Sequence, residues 1–408
     1  MRLAIFHPAF ETVGGAELLV AAQTRYFHSQ GAAPELMTLG FDEARWGSRL
    51  HGIPIHTVQK RHWSDVFFGW SRLAKLRRRG LRAAKALEEF DLVIAHNFPA
   101  SAMLGAAPIR ARKIWQCNEP PRGIYQREAN PALTARVLAT GGGGPEEATL
   151  AFARNLELHD LKMARNTSVR ARHAYDLVAT QGLDLIYAIS EFSRDNARRI
   201  YGRCRDEVIY PIVRFPEGGR NRAGLERTVR RVLVHSRLEV LKNIDTVIHG
   251  FARFQAASPV PCELHVVGEG PLHSRLEVLA GNICVAGSVR FHGYLSDEDL
   301  RKVYDACDVL ALLTLDEPFG MVYPEAAAKG LLLVGPDHGG PLEILDGGRL
   351  GWVVDAFSPE ALAGALEEIW NLDDAEVDRR REAADRACRA RYGVEAVGPQ
   401  LMALLSEA

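Results

Sequence analysis

Apolar residues along the chain gather into short runs separated by stretches of helical period. In the first half the runs are Leu3–His7, Leu36–Leu39, Ile53–Val58, Leu92–His96, Ile114–Cys117 and Leu185–Ser190. In the second half they are Arg231–His235, Leu264–Val267, Val289–Gly293, Val309–Thr314, Leu331–Gly335 and Trp352–Asp355. Most are continuous rather than alternating, which is the pattern of strands buried on both faces. Helical stretches between them predict βαβ units and parallel sheets. The series occurs twice, so the expected fold class is α/β with two doubly wound, Rossmann-like domains and a cleft between them.

Punctuation supports that division. Residues 215–224 are polar and rich in Gly and Arg, like a linker. The expected domains are therefore 1–200 and 201–393. A short apolar helix over 394–408 follows a long charged one (Asp373–Arg391) and is expected to return to the first domain. Gly141–Gly144 cannot hold a helix, so Thr140–Pro145 is expected to be a flexible connection; it lacks the Gly-Lys-Ser/Thr ending of a P-loop.

Composition narrows the class. The chain has 408 residues, 47% hydrophobic and 25% charged, which excludes a mostly disordered protein. The six cysteines form no Cys-x-x-Cys pair, so neither a disulfide framework nor a zinc site is predicted, and reduced thiols fit a cytoplasmic protein. Nothing in the sequence is long and apolar enough to span a bilayer. Net charge is -1, but residues 1–200 carry 27 Lys and Arg against 19 Asp and Glu, and residues 201–408 carry 23 against 32. The excess of +8 on the first half points to an anionic acceptor or a membrane surface. The basic residues within 72–85 are candidates for peripheral contact with anionic lipid, or equally form a solvated helix face. Leu158–Tyr175 adds four cations to that half. No nucleic-acid partner is expected.

The segment Asp316–Gly330 carries the densest chemistry. A turn on Pro318 and Gly320 leads from a strand into a helix with an early Pro324, ended by Gly330. A helix start at the carboxyl end of a parallel strand favours anions. Glu317 in the loop can accept sugar hydroxyls, and Glu325 on the helix can accept a ribose diol. Spacing alone equally admits two surface carboxylates of an ordinary βα unit.

At these residues the chain resembles retaining glycosyltransferase family 4, of the GT-B fold, with its Glu-x7-Glu motif. Further pieces fall in that family's order: Val13-Gly14-Gly15-Ala16-Glu17, His235–Glu239 with Lys242-Asn243, Val267–Pro271, Phe291–Leu295 and His338–Glu343. The resemblance implies transfer of a hexose from a nucleotide-sugar, GDP-mannose or a UDP-hexose, to a hydroxyl acceptor, with retention and without a metal or other cofactor. It implies catalytic-site positions for Glu317, Arg237, Lys242 and Asn118. It implies donor contacts from Gly14, Gly15, Gly268, Tyr294, Leu295, Phe319, Gly320, Met321, Val322 and Glu325. Ser190–Arg194 resembles the family's strand-to-helix segment, with Ser190 also a good N-cap. Ile114–Arg122 resembles the branch that reads Cys-His-Glu-Pro-Pro-Arg, but Asn118 stands where the family has a catalytic-site His and cannot take a proton. His96 and Arg122 are acceptor-side candidates. A nucleotide-sugar 2-epimerase or a phosphorylase shares this layout, and a non-catalytic relative that only binds nucleotide-sugar is the remaining alternative.

Overall fold

A computed structural model describes residues 1–58, 72–125, 127–128, 131–139, 167–215 and 224–407. Trp70 and Ser71, the Thr140–Pro145 connection, residues 158–166 and linker residues 216–223 lie outside the described residues.

The first sheet contains β1 (Leu3–His7), β2 (Glu35–Thr38), β3 (Ile55–Thr57), β4 (Leu92–His96), β5 (Arg112–Cys117) and β6 (Leu185–Ala188), ordered β3-β2-β1-β4-β5-β6 and parallel throughout. Every residue of β1 and β4 is buried, which is why those runs read as unbroken apolar sequence. The second sheet contains β7 (Arg230–His235), β8 (Cys262–Val267), β9 (Val289–Gly293), β10 (Val309–Ala311), β11 (Leu332–Pro336) and β12 (Trp352–Val354), ordered β12-β11-β10-β7-β8-β9 and again parallel. The twelve expected strands are all present. The run expected over Val309–Thr314 is shorter as a strand: Leu312 still donates its N–H to Val334 O, and the chain then turns into the loop before Glu317.

Strand order reverses between β1 and β4 in one sheet and between β7 and β10 in the other. Such a reversal splays the connections to opposite faces and opens a crevice at the carboxyl ends of the strands, the usual ligand position in open α/β sheets.

By contact density the chain divides into Met1–Pro131, Glu157–Ile212 and Val394–Ala408 as one compact unit, and Ala132–Leu156 with Val213–Gly393 as the other. Within the first unit the helix Val394–Ser406 crosses the helix Gly15–Ser29 closely. A Cβ on Gly398 would lie 2.3 Å from the Tyr26 hydroxyl, so a larger residue there would have to displace the Tyr26 ring. Within the second unit Arg136 ion-pairs with Asp355 and, at 3.4 Å, with Asp337, and its guanidinium lies 4.7 Å from the Phe357 ring centroid. This contact departs from a single boundary near residue 200. Arg136, on the Pro131–Ala139 helix, finds its partners on the loops after β11 and β12.

Ser190 caps the helix Glu191–Tyr201, its Oγ accepting from Ser193 N at 3.0 Å. Ser190→Ala is expected to cost about 1 kcal/mol, read as a lowered melting temperature without loss of the fold.

Candidate functional site

The second unit gathers one group of side chains at the carboxyl ends of β7 and β10. After β7 the chain makes a 3-10 turn at Val240–Lys242 and enters the helix Ile244–Ala257 through Asn243. Asn243 has φ 55°, a left-handed conformation that Asn tolerates better than most residues. Its amide is fully used. Nδ2 donates to Leu313 O at 2.8 Å and to Ala356 O at 2.7 Å, and Oδ1 accepts from Thr246 Oγ1 at 2.7 Å. One buried side chain therefore ties the Lys242 turn to the chain leaving β10 and to the loop after β12.

The β10 loop is held from two further sides. Leu315 N donates to Leu241 O at 2.9 Å, and Gly340 N donates to Glu317 O at 2.8 Å. His338 donates through Nε2 to Leu315 O at 2.9 Å, while its Nδ1 faces Asp337 Oδ1 at 2.9 Å. The backbones pack so closely that a Cβ on Gly340 would lie 2.3 Å from Pro318 O. The result is a fixed Glu317, whose Oε2 accepts from Lys242 Nζ at 2.5 Å, both side chains keeping some exposure to solvent. A charge-assisted bond of this kind orients two groups that both face the crevice.

Glu325 lies one turn into the helix Val322–Ala328. It is half-buried and no described residue pairs with it, and burial pushes its carboxyl up to about 7. Gly320 has φ 96°, which lets the loop turn into that helix, and Met321 and Val322 are half-buried at its start. The Phe319 ring is buried edge-on against Tyr392 at 5.1 Å, so only its backbone faces a ligand. Gly268, at φ 121°, presses on the β7 loop and donates its N–H to Gly293 O at 2.9 Å. Tyr294 is 64% exposed and Leu295 half-buried just beyond. Arg237 is not drawn to Lys242 or Glu317; it is exposed and paired with Glu239 at 2.6 Å.

The first unit places Gly14 and Gly15 at the start of the helix Gly15–Ser29, at the carboxyl end of β1. His96 ends β4, fully buried, and burial together with nearby His7 holds its imidazole well below the usual range, so it is neutral. Asn118 ends β5 in a buried polar chain. Its Oδ1 accepts from Gln116 Nε2 at 3.2 Å; Gln116 Oε1 accepts from Tyr187 Oη, which accepts from Gln23 Nε2 at 3.1 Å. Its carbonyl accepts from Ser193 Oγ at 2.5 Å. Asn118 is therefore a fixed hydrogen-bonding member of the scaffold. Arg122 pairs with Glu119 at 2.5 Å.

Two residues at the second-unit site, Asn243 and His338, lie within the motifs that carry the family resemblance, and the sequence assigns neither of them a role. An Asn directly after a lysine turn and a His directly before Gly339-Gly340 were the available signals. Among the described residues no group of three His, Cys, Asp or Glu side chains is placed to hold a metal ion, and no helix is long and apolar enough to cross a membrane.

Residues 220–387 match the family model described as glycosyl transferases group 1. The chain is 30% identical over 198 residues to a D-inositol 3-phosphate glycosyltransferase of Corynebacterium urealyticum, covering 47% of this chain and 46% of that protein. It is 28% identical over 365 residues to a GDP-mannose-dependent alpha-(1-6)-phosphatidylinositol monomannoside mannosyltransferase of Mycobacterium tuberculosis, covering 83% and 84%. The chain spans about half the length of the first curated relatives it matches. The crystal structure of Anabaena HepE in complex with UDP and glucose superposes with a TM-score of 0.70 at 17% identity, covering all of both chains. The fold is thus the two-domain α/β architecture of GT-B glycosyltransferases, and the Lys242–Glu317 pair lies within the residues that match the group 1 glycosyl transferase model.

Proposed function

We propose that the protein is a retaining hexosyltransferase that moves a sugar from a nucleotide-sugar to a hydroxyl acceptor without a metal. The observation that carries this reading is the Lys242–Glu317 pair at 2.5 Å in one crevice with the unpaired carboxyl of Glu325. Lys242 donates to the departing diphosphate once a sugar hydroxyl takes its place on Glu317. Arg237, exposed beside its partner Glu239, is free to turn toward the outer phosphate. The backbone of Phe319 and Gly320 holds the hexose, Met321 and Val322 line its phosphate side, and Glu325 accepts from the ribose diol. Gly268, Tyr294 and Leu295 wall the base; a donor role for Gly14 and Gly15 rests on their sequence motif alone.

In the transfer step the bond from the anomeric carbon to the phosphate oxygen breaks with its electron pair going to the diphosphate. The acceptor oxygen bonds to that carbon from the same side, and its proton passes to the departing phosphate oxygen. Fixed positive charge at the phosphates is the main catalytic term in such a step. No proton passes through the position of Asn118, so an amide there is compatible with activity. The acceptor belongs to the first unit, with His96 and Arg122 on that side, and residues 72–85 supply peripheral contact with an anionic membrane. GDP-mannose is favoured by the Glu119-Pro120-Pro121-Arg122 branch and by the Mycobacterium tuberculosis relative, while UDP-hexoses fit the motifs equally well.

The test is proton NMR of GDP-mannose and UDP-glucose incubated with the protein and candidate acceptors. Consumption of one donor with an α-linked product is expected. A C2 epimer formed without acceptor, or turnover only with free phosphate, would replace the reading with an epimerase or a phosphorylase.

Glu325 adds a pH signature. Its folded carboxyl titrates near 7 and its unfolded one near 4.5, so the folded state holds the extra proton between them. This group therefore lowers stability as pH rises from about 4.5 to 7. The ribose diol needs the ionised form, so nucleotide affinity should rise across pH 6 to 8. Glu325→Gln should weaken binding about tenfold at pH 8 and remove that part of the rise, measured by calorimetry against wild type.

A further inference from the structure

His338 stands between two acceptors. Its Nε2 lies 2.9 Å from Leu315 O and its Nδ1 2.9 Å from Asp337 Oδ1. A carbonyl oxygen and a carboxylate oxygen accept and do not donate, and a neutral imidazole carries a single N–H. Both bonds therefore form only when each ring nitrogen holds a proton. Two other bonded histidines show the contrast. His235 Nδ1 meets the Tyr304 hydroxyl at 2.8 Å, which can donate or accept. His265 sits between Glu263 at 3.3 Å and His292 at 3.0 Å, and that second imidazole can likewise do either.

A protonated Asp337 that donates to a neutral ring is opposed by its surroundings. Arg136 Nη1 lies 3.4 Å from Asp337 Oδ2 while Arg136 also ion-pairs with Asp355. The bond to His338, with the charges of His338 and Arg136 and the Ala356 backbone, holds the Asp337 carboxyl below the usual carboxylate range despite its partial burial. The other charged groups next to the bonded carbonyl are Asp316 and Glu317 on the β10 loop, the latter bonded to Lys242.

What His338 holds is the loop of the donor site. Leu315 lies two residues before Glu317, and Gly340, two residues after His338, donates its N–H to Glu317 O at 2.8 Å. These two bonds lace residues 338–340 to residues 315–317. The fit between them is close: a Cβ on Gly339, at φ 77°, would lie 2.9 Å from Glu317 O. A neutral imidazole keeps one of its two bonds and gives up the other, which frees either the Leu315 carbonyl or the Asp337 anchor.

We propose that His338 is a positioning residue that works as the imidazolium. Doubly protonated, it ties the Glu317 loop to Asp337 and Arg136, and loss of one proton slackens the hold of Glu317 on the donor's sugar. The part played in sugar binding rests on the transferase reading; the proton demand of the clamp does not. The effect runs opposite to that of Glu325, since it weakens the site as pH rises. The two are separable, because Glu325 acts on the nucleotide and His338 on the sugar.

Asp337→Asn is the decisive variant, because an amide can donate to a bare Nδ1 as well as accept from a protonated one. A neutral His338 then keeps both bonds, and Arg136 keeps Asp355. The full chain is labelled with nitrogen-15 histidine, its His338 signals are assigned by their loss in His338→Gln, and it is titrated from pH 6 to 9 by NMR. In parallel, calorimetry gives the affinity of GDP-mannose against GDP and of UDP-glucose against UDP, each ratio isolating the sugar contact. In wild type both ring nitrogens are expected to be protonated at pH 6, and the ratio for the nucleotide-sugar that binds should fall about tenfold in step with loss of that proton. In Asp337→Asn the imidazole should lose its proton at lower pH and the ratio should stay level. A neutral ring at pH 6, a proton kept to pH 9, a wild-type ratio that stays level while the ring titrates, or an Asp337→Asn variant that follows the wild-type course would each overturn the clamp. Folded wild type that binds none of the four ligands would sink the transferase reading, and the paired ring titrations would still decide the proton demand.

Discussion

Lys242→Ala is expected to lower hexosyl transfer by about 10²–10³-fold, the usual cost of removing one fixed group that stabilises charge at the departing oxygen. The loss should fall mainly on kcat, because the ammonium gains most when the diphosphate carries its full charge. Glu317→Ala should lose a similar factor for a different reason, since the hexose is then unanchored and Lys242 is left without the carboxylate 2.5 Å away that orients it. The two groups act as one unit, so the double variant should be little worse than either single one, a coupling that additive effects would not give. Both side chains retain some exposure, so neither variant should unfold the protein. Steady-state rates with thermal melts on the three variants check this. Wild-type turnover in either single variant would remove these residues from the site.

The second large effect is structural. Gly268→Ala is expected to destabilise the second unit by about 2–4 kcal/mol and to abolish nucleotide binding. The new Cβ would lie 2.0 Å from Ser236 O, backbone that cannot swing away, at φ 121° where an L side chain is strained. Relief requires separating the β7 and β8 loops, which are joined by Ser236 N to Val267 O at 3.1 Å and Leu238 N to Glu269 O at 2.9 Å. Those are the loops that carry Arg237 and the base wall. Gly15→Ala is the contrast, since no heavy atom lies within 4 Å of its Cβ and the position is helical, so its melting temperature should stay at or slightly above wild type. Denaturant melts of the two variants separate a glycine needed for packing from one that is not.

The strands were legible because burial on both faces writes itself as unbroken apolar sequence, as in Leu3–His7 and Leu92–His96. Gly320 and Gly330 were readable as turn and stop, and both have positive φ. Side-chain partnerships were not legible. That Asn243 would bond Leu313 O and Ala356 O depends on loops 70 and 113 residues away. That Arg237 would turn to Glu239 and Lys242 to Glu317 is a choice among nearby carboxylates that spacing does not make. The charge split between the halves was legible, but not where in the fold the charges sit. Among the described residues most basic side chains of the first half sit on helices, while residues 8–17 and 97–103, beyond the ends of β1 and β4, carry two carboxylates and no Lys or Arg.

The central claim is that the crevice holding Lys242, Glu317 and Glu325 binds a nucleoside diphosphate. Calorimetric titration of GDP and of UDP into the full chain tests it directly. Saturable binding of one of them, weakened about tenfold or more in Lys242→Ala, is the predicted result. Absence of binding by both, in protein that melts cooperatively, would contradict the account.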